Sequence, residues 1–194
     1  LAEANLKARC RILDDDENVV VEMNAEIETK TETWQSRIKM TVDSPKRWMP
    51  KHLGKPHHYK VVIELLKDEQ IIQTCSRSTG FRSLQHLGDF NFIINGQPLR
   101  LWGVNLPPLQ PGHVWNHEKA KRMLDMAELA NSNTIRIWGP GQPFNNHHLL
   151  EEADRRGLMV WFEFPNEFHP HPENPCHIEN CCEEAEHYVR TFRH

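Results

Sequence analysis

Polar and aromatic side chains stand at the ends of three short apolar runs, where they could hydrogen-bond and pack against a hydroxyl-bearing ligand. The first run ends at Asn105, the second contains Arg136 and is followed by Trp138, and the third contains Glu163. A guanidinium or a carboxylate is costly to bury unless a partner compensates its charge. We therefore predict that Arg136 orients a carboxylate or a hydroxyl group, with a structural ion pair as the alternative.

The other three side chains each have a ligand-binding and a structural interpretation. Trp138 could stack on the apolar face of a ring, or it could simply pack at a rim. Glu163 could accept hydrogen bonds from hydroxyl groups or pair with Arg136, and both roles place it in the site. Asn105 could hold a hydroxyl group or the backbone of the pocket, or it could serve only as a turn residue.

Metal-ligating side chains are concentrated near the end of the chain, but their spacings match no common zinc pattern. Cys181 and Cys182 are neighbours on a predicted helix, so their side chains diverge by about 100° and cannot both face one ion. We predict a solvated histidine-rich loop without a metal, and His171, Cys176 and His177 are the candidate ligands if a metal binds. No cofactor is predicted. The whole cluster comprises His169, His171, Cys176, His177, Cys181, Cys182 and His187.

The composition is that of a soluble globular protein, and it argues against several classes of partner. The 194 residues carry a formal net charge of −4 with acids and bases interspersed, so we expect no binding to nucleic acid or to a membrane. The longest apolar runs are far shorter than the roughly 20 residues that cross a bilayer. Five cysteines are an odd number, which favours free thiols. The chain opens at Leu1 without a leader, and the compartment stays open between cytoplasmic and extracytoplasmic.

The first part of the chain has the pattern of a β-sandwich. Runs of alternating or β-rich composition are separated by turn-type clusters at short intervals, and no helical period interrupts them. Trp34, Trp48 and Tyr59 would supply the large aromatic side chains of its core. The predicted strands span residues 6–13, 18–27, 36–42, 58–66 and 70–76.

After about residue 90 the pattern changes to a hairpin and then to alternating strands and helices. Asn95-Gly96 between apolar runs predicts the hairpin, because both residues tolerate positive φ. Gly157 ends a predicted helix, because a residue without a Cβ suits the left-handed position there. The predicted strands span residues 97–104, 134–138 and 158–164, and the predicted helices span residues 116–130, 144–156 and 178–192.

Three parallel units leave a sheet edge open, so they belong either to a small doubly wound domain or to the opening of an eight-unit barrel. A nucleotide-binding doubly wound domain is disfavoured, because no G-x-G-x-x-G phosphate loop follows any of the strands. Barrel enzymes gather their sites at the carboxyl ends of the strands, where Asn105, Arg136 and Glu163 lie. The barrel is therefore the better prediction.

Several motifs occur in a fixed order from about residue 43 onward. They are Ser44-Pro45-Lys46-Arg47-Trp48-Met49-Pro50 with Leu53-Gly54-Lys55-Pro56-His57-His58-Tyr59, then Gly80-Phe81-Arg82, then Phe92 to Asn105 with Arg100-Leu101-Trp102-Gly103-Val104-Asn105, then Asn133-Thr134-Ile135-Arg136-Ile137-Trp138-Gly139, and finally Ala153-Asp154-Arg155-Arg156-Gly157-Leu158-Met159-Val160-Trp161. In this order the motifs resemble glycoside hydrolase family 2, and within it the branch of β-mannosidases and exo-β-glucosaminidases.

The resemblance implies a fold of two parts. Residues 1–86 would form an immunoglobulin-like β-sandwich, and residues 87–194 would form the first three βα units of a (β/α)8 TIM barrel, the N-terminal part of a glycosidase domain. The resemblance also implies a carbohydrate substrate, either an oligosaccharide or a glycoside, and contact with the remainder of the same barrel.

The resemblance further implies a retaining exo-β-glycosidase acting on terminal β-linked sugars, and the tryptophan near Arg136 favours a mannoside. Such enzymes use two carboxyl groups about 5 to 5.5 Å apart, one as acid/base and one as nucleophile. These groups would follow the fourth and seventh strands, so we expect no catalytic residue in this chain and no activity of the chain alone. Asn166-Glu167 resembles the acid/base pair but follows the third strand, so it is not assigned. The alternative is a non-catalytic carbohydrate-binding or assembly protein derived from such an enzyme.

Overall fold

The computed structural model of the protein describes residues 6–27, 37–106, 117–139, 147–164 and 174–192. The chain packs as two compact units, and each unit is formed by two separate stretches of sequence. The first unit comprises Leu1–Arg47 and His57–Phe81, and the second comprises Trp48–Pro56 and Arg82–His194. The division of the chain at residue 86 into a sandwich and a barrel stays a prediction.

The first unit contains a four-stranded antiparallel sheet. Its strands are β1 (Leu6–Leu13), β2 (Val19–Glu26), β3 (Tyr59–Lys67) and β4 (Gln70–Thr79). The strand order is β2-β1-β3-β4, and β1 pairs with both β2 and β3. Four of the predicted strands are thereby confirmed, because alternation of apolar and polar side chains identifies a strand without knowledge of its partners.

The two faces of this sheet differ in chemistry. Cys10 and Ile12, two residues apart on β1, are buried on one face, and the residue between them points to the other face. On the other face Glu64 of β3 is only 6% exposed, and it accepts hydrogen bonds from Arg9 Nε at 2.6 Å and from Arg11 Nη2 at 2.8 Å. The two guanidinium groups compensate a carboxylate that would be costly to bury alone.

One predicted strand of this part of the chain is wrong. Residues 37–42 are not in a strand, although their side chains alternate between half-buried and exposed as a strand requires. Alternation reports an extended backbone, whereas a strand also needs a ladder partner, and within the described part of the chain residues 37–42 have none.

The aromatic core predicted for the sandwich needs a correction as well. Trp48 belongs to the second unit, where it is 1% exposed and packs with Ile94 and Leu99. Tyr59 is buried in the first unit as predicted, with its ring centroid 5.0 Å from that of Phe81. Trp34 lies outside the described residues. The large apolar area of Trp48 correctly predicted that it is buried, but the local sequence does not indicate which of the two cores contains it.

The second unit opens with three short antiparallel strands, β5 (Leu84–His86), β6 (Phe92–Ile94) and β7 (Gln97–Leu99). The predicted hairpin is confirmed between β6 and β7. Asn95 and Gly96 have φ values of 49° and 82°, which a two-residue turn of this kind requires. The side-chain amide nitrogen of Asn95 also donates a 2.9 Å hydrogen bond to the backbone oxygen of Trp48.

Parallel strands and helices then alternate, as predicted. They are β8 (Gly103–Leu106), α1 (His117–Leu129), β9 (Thr134–Ile137), α2 (His147–Arg155), β10 (Met159–Phe162) and α3 (Pro175–Phe192). The strands form a parallel sheet in the order β10-β9-β8. The described part of the chain thus contains ten strands and three helices. The prediction of one strand over residues 97–104 is wrong, because residues 100–102 separate β7 from β8, and β8 continues to Leu106.

Helices α1 and α2 end with the same backbone motif. Asn131 and Gly157 have positive φ values of 53° and 71° just after the two helices. In α2 the amide of Leu158 then donates a 2.9 Å hydrogen bond to the backbone oxygen of Ala153, which satisfies a terminal carbonyl group. The left-handed role predicted for Gly157 is confirmed.

Helix α3 begins earlier than predicted. It starts at Pro175, and Asn174 Oδ1 accepts a 2.7 Å hydrogen bond from the backbone amide of His177. An asparagine cap followed by a proline in the first helical position is a recognised helix start. The predicted start at Ile178 was wrong because it followed the apolar period and ignored this Asn-Pro signal.

Candidate functional site

The parallel sheet of the second unit presents different residues on its two faces, because side chains alternate along a strand. Ile135 and Ile137 of β9 are 0% and 3% exposed, and they pack with Leu124 of α1 and Leu149 of α2 in the core. Arg136 stands between the two isoleucines, so its side chain extends from the face opposite to the helices. The local sequence therefore fixes which face carries the charge.

Arg136 makes a two-point ion pair with Glu163, which follows β10. Arg136 Nε lies 2.5 Å from Glu163 Oε1, and Arg136 Nη2 lies 2.8 Å from Glu163 Oε2. The side chains are 35% and 20% exposed, respectively. A planar guanidinium facing both oxygens of a carboxylate fixes the direction of that carboxylate. The contact between these two residues is one that the sequence analysis proposed, whereas their role in ligand binding stays a prediction.

Asn105 completes a group that we call the Arg136 cluster: Asn105, Arg136 and Glu163. Asn105 lies directly opposite Arg136 in the register of β8 and β9, and its Oδ1 accepts a hydrogen bond from Arg136 Nη1 at 3.3 Å. The backbone amide of Gly139 lies 3.5 Å from Glu163 Oε2. Each of the three parallel strands thus brings one polar side chain to the same edge of the sheet.

The backbone of Glu163 is held in register with the neighbouring strand. Its amide donates a 3.3 Å hydrogen bond to the backbone oxygen of Ile137, which continues the ladder past the end of β10. Trp138 follows β9 directly and is half-buried. Its predicted stacking on a ligand ring stays a prediction.

A buried asparagine directly before β9 was not among the predicted site residues. Asn133 is 4% exposed, and its Oδ1 accepts hydrogen bonds from Trp102 N at 2.9 Å and from Thr134 Oγ1 at 2.8 Å. Its Nδ2 donates to the backbone oxygen of Arg100 at 2.7 Å. Asn133 therefore ties the chain before β8 to the start of β9. A polar amide directly before an apolar strand was the available signal.

Close contact between β8 and β9 depends on a glycine. A Cβ added to Gly103 would lie 2.0 Å from the backbone oxygen of Thr134. No side chain fits at that distance, so a residue without a Cβ is needed where the two strands meet. Gly103 and Thr134 lie two residues before Asn105 and Arg136 on the same two strands. The close contact therefore determines the distance between the strands at the point where Asn105 meets Arg136.

An exposed aromatic pair lies on the same face of the sheet and was also missed. Trp161 of β10 is the register partner of Arg136, and its ring stacks on Phe90 with centroids 5.5 Å apart and planes 24° apart. The two residues are 38% and 70% exposed. The signal in the sequence was a tryptophan within an apolar strand, at the position that alternation assigns to the polar face.

The candidate metal ligands are only in part described. Cys176 and His177 lie in the first turn of α3, whereas His171 lies outside the described residues. Among the described residues, no group of three or more His, Cys, Asp or Glu side chains is arranged to hold a metal ion. None of the five cysteines is in a disulfide, and all five lie within the described ranges.

Helix α3 is 18 residues long and has no buried residue. Neither α3 nor another helix within the described ranges is both long enough and apolar enough to cross a membrane.

Comparison with known proteins relates this sequence to one enzyme family. Residues 2–82 match the family model described as glycosyl hydrolases family 2. Beta-mannosidase A of Aspergillus niger is 27% identical over 171 residues, which are 78% of this chain and 18% of that protein.

Solved structures agree with this relation in fold. A β-D-mannosidase from Dictyoglomus thermophilum matches with a TM-score of 0.78 and 23% identity, over 97% of this chain and 24% of that one. A β-glucuronidase from Bacteroides uniformis matches with a TM-score of 0.78 and 25% identity, over 92% of this chain and 21% of that one. The chain thus spans less than a quarter of the length of each of these relatives. The family model relates the N-terminal region of the chain to the glycosyl hydrolases of family 2, and the fungal glycosidase and the two structures extend the similarity in sequence and in fold over most of the chain.

Proposed function

We propose that the chain forms one wall of the substrate pocket of a retaining exo-β-glycosidase that cleaves terminal β-linked sugars, in the manner of a β-mannosidase. One observation carries this proposal. The Arg136 cluster places an arginine, a carboxylate and an amide at the carboxyl ends of three adjacent parallel strands. That edge is where barrel enzymes assemble their sites.

The proposal includes the finer architecture. Three parallel strands alternating with helices support the first three βα units of a (β/α)8 TIM barrel within residues 87–194. The four-stranded sheet supports an immunoglobulin-like sandwich within residues 1–86. The match of the chain to the two solved relatives supports both parts.

Each proposed substrate-binding residue has a role that follows from its chemistry. Glu163 accepts hydrogen bonds from sugar hydroxyl groups, and Arg136 fixes the direction of its carboxylate. Asn105 holds Arg136 through its amide oxygen and offers an amide N–H to a hydroxyl group. Trp138 stacks on the apolar face of the sugar ring. By resemblance, the acid/base and the nucleophile both lie outside this chain, and the chain alone is inactive.

The charge of the cluster favours a neutral sugar over an acidic one. The guanidinium of Arg136 already has a carboxylate partner at 2.5 and 2.8 Å, so its charge is compensated within the protein. The carboxylate of a glucuronide would approach Glu163 as a like charge, which costs binding energy. A mannoside has no such charge, which agrees with the name of the fungal relative, a β-mannosidase.

The experiment uses the full-length protein and two chromogenic substrates, p-nitrophenyl β-D-mannopyranoside and p-nitrophenyl β-D-glucuronide. We expect hydrolysis of the mannoside in preference to the glucuronide. Glu163→Gln should lower kcat/KM for the mannoside roughly 10- to 100-fold, because it removes both the ion pair and a charged acceptor. Glu186→Gln is the matched control, since Glu186 pairs with Arg190 on the exposed face of α3. Activity of Glu163→Gln equal to that of Glu186→Gln would contradict the proposed role.

A second candidate is a non-catalytic carbohydrate-binding or assembly protein derived from such an enzyme. Within the Arg136 cluster Glu163 supplies the one carboxylate, and its pairing with Arg136 suits hydrogen-bond acceptance rather than proton transfer. Isothermal titration of the full-length protein with methyl β-D-mannoside distinguishes the two candidates. Binding without turnover of the chromogenic mannoside would support the second candidate and contradict the first.

A further inference from the structure

Helix α3 brings an imidazole and a thiol together, away from the Arg136 cluster. His177 Nε2 and Cys181 Sγ lie 3.7 Å apart. The two residues are one helical turn apart, and positions i and i+4 stand one above the other on the same face of a helix. Both side chains are half-buried, whereas the neighbouring Cys176 and Cys182 are exposed.

The separation of these two atoms is close to that of two ligands on one zinc ion. Zinc lies about 2.0 to 2.1 Å from an imidazole nitrogen and about 2.3 Å from a thiolate sulfur, in tetrahedral geometry. Those lengths and a tetrahedral angle put nitrogen and sulfur about 3.5 to 3.6 Å apart. In the metal-free protein the two atoms share a hydrogen bond, and an ion that takes the place of its proton can bind both of them at nearly the same separation.

We propose that His177 and Cys181 form a two-point binding site for a soft or borderline divalent cation such as Zn²⁺. Imidazole and thiolate are ligands that such ions prefer over oxygen. Cys181 binds as the thiolate, its proton passes to the buffer, and water fills the remaining positions. The site differs from the set His171, Cys176 and His177 named from the sequence, since Cys181 replaces Cys176.

Binding at this site has a structural consequence for α3. The aromatic contacts of α3 lie toward its end, where Tyr188 packs on Phe162 and Phe192 packs on the core, so the first turns of the helix have less packing to stabilise them. A cation bound to both side chains would link residues 177 and 181, one helical turn apart, through coordination bonds. We therefore expect bound metal to increase the helical content and the thermal stability of α3.

The test is a titration of the protein with Co²⁺ alone, with the thiols kept reduced. A thiolate ligand gives an intense sulfur-to-cobalt charge-transfer absorption, which later addition of Zn²⁺ should remove. We expect one Co²⁺ per chain. Cys181→Ser should abolish the charge-transfer band, and His177→Ala should weaken binding about tenfold or more, because loss of even an outer partner of a ligand costs that much.

Cys182→Ser is the matched control, because Cys182 is adjacent on the same helix and points about 100° away. It should bind Co²⁺ like the unaltered chain, and so should Cys176→Ser. Far-ultraviolet circular dichroism of each variant before metal addition checks that α3 is intact. The proposal is overturned by absence of the band in the unaltered chain, by its persistence in Cys181→Ser, or by its loss in Cys182→Ser with helicity retained.

Discussion

The indole Nε1 of Trp48 donates a 3.0 Å hydrogen bond to the backbone oxygen of Asp154, 106 residues further along the chain. The guanidinium of Arg82 lies over the same indole ring, 4.6 Å from its centroid, and reaches the Asp154 carboxylate at 3.5 Å. Burial lowers the pKa of Arg82, and the negative charge of Asp154 opposes that shift. The second unit therefore closes its core with a segment, Trp48–Pro56, that interrupts the first unit in sequence.

Replacement of Trp48 should destabilise the second unit strongly. Trp48→Ala removes a large buried side chain and should cost about 3 to 5 kcal/mol of unfolding free energy. Trp48→Phe loses only the hydrogen bond to Asp154 and part of the ring, and should cost about 1 to 3 kcal/mol. Urea unfolding followed by circular dichroism measures both. The control is Trp102→Phe, since Trp102 also donates to a backbone oxygen but is 39% exposed. Equal losses for the Trp48 and Trp102 phenylalanine variants would contradict the prediction.

The stability of the protein should fall in acid because of Glu152. Hydrogen bonds from Arg155 and, after it, from Arg156 hold the pKa of this carboxyl at about 2, although burial opposes the shift. A lowered pKa means that the stabilisation is complete above the ordinary value of 4.5 and is lost as the pH falls toward 2. Glu152→Gln should therefore lower the unfolding free energy at pH 7 by roughly 1 to 3 kcal/mol and flatten its decline in acid.

Urea midpoints at pH 7 and pH 3 measure this effect. Glu151→Gln is the matched control, because Glu151 is the exposed neighbour of Glu152 on the same helix. The prediction fails if Glu152→Gln and Glu151→Gln have the same dependence of stability on pH.

Gly103→Ala should push β8 and β9 apart. The added methyl group would meet the backbone oxygen of Thr134 at 2.0 Å, and backbone atoms cannot rotate away as a side chain can. We expect a loss of about 1 to 3 kcal/mol or more, with lower kcat/KM in the full-length protein because the Arg136 cluster extends from these strands. Gly88→Ala is the comparison, since its Cβ meets no atom within 4 Å and only its φ of 91° adds strain. A smaller loss for Gly103→Ala than for Gly88→Ala would argue against the close contact.

Asn133→Ala should destabilise the protein by roughly 2 to 3 kcal/mol, because the backbone groups of Arg100 and Trp102 lose their buried partner. Thermal unfolding of the variant measures the loss. Asn180→Ala is the control, since Asn180 is exposed on α3 and alanine favours a helix. An equal effect of the two substitutions would show that Asn133 does not hold the chain before β8 to the start of β9.

Local patterns predicted the parts of the fold that depend on neighbouring residues in sequence. Alternation located β1 to β4, the Asn95-Gly96 turn located the hairpin, and Gly157 located the end of α2. The pairing of Arg136 with Glu163 was also predictable, because two opposite charges at the ends of neighbouring buried strands compensate each other.

Features that depend on distant partners were not predictable in this way. Trp48 was assigned to the wrong core because its partner Asp154 lies far away in sequence. Residues 37–42 have the alternation of a strand, but alternation does not supply a partner strand. The stack of Phe90 on Trp161 joins a turn to a parallel strand, and no local pattern links the two.

The interleaving of the two units along the chain limits how the protein can be divided. The chain enters the second unit at Trp48, returns to the first at His57, and leaves it again after Phe81. A truncation that begins at Arg82 would omit Trp48 and leave its place in the second core empty. A single crossover with a homologue between Pro56 and Arg82 would likewise build the second core from two parents, because Trp48–Pro56 would come from one and Arg82–His194 from the other. Both units therefore have to be kept together in any shortened or chimeric protein, although each packs around its own interior.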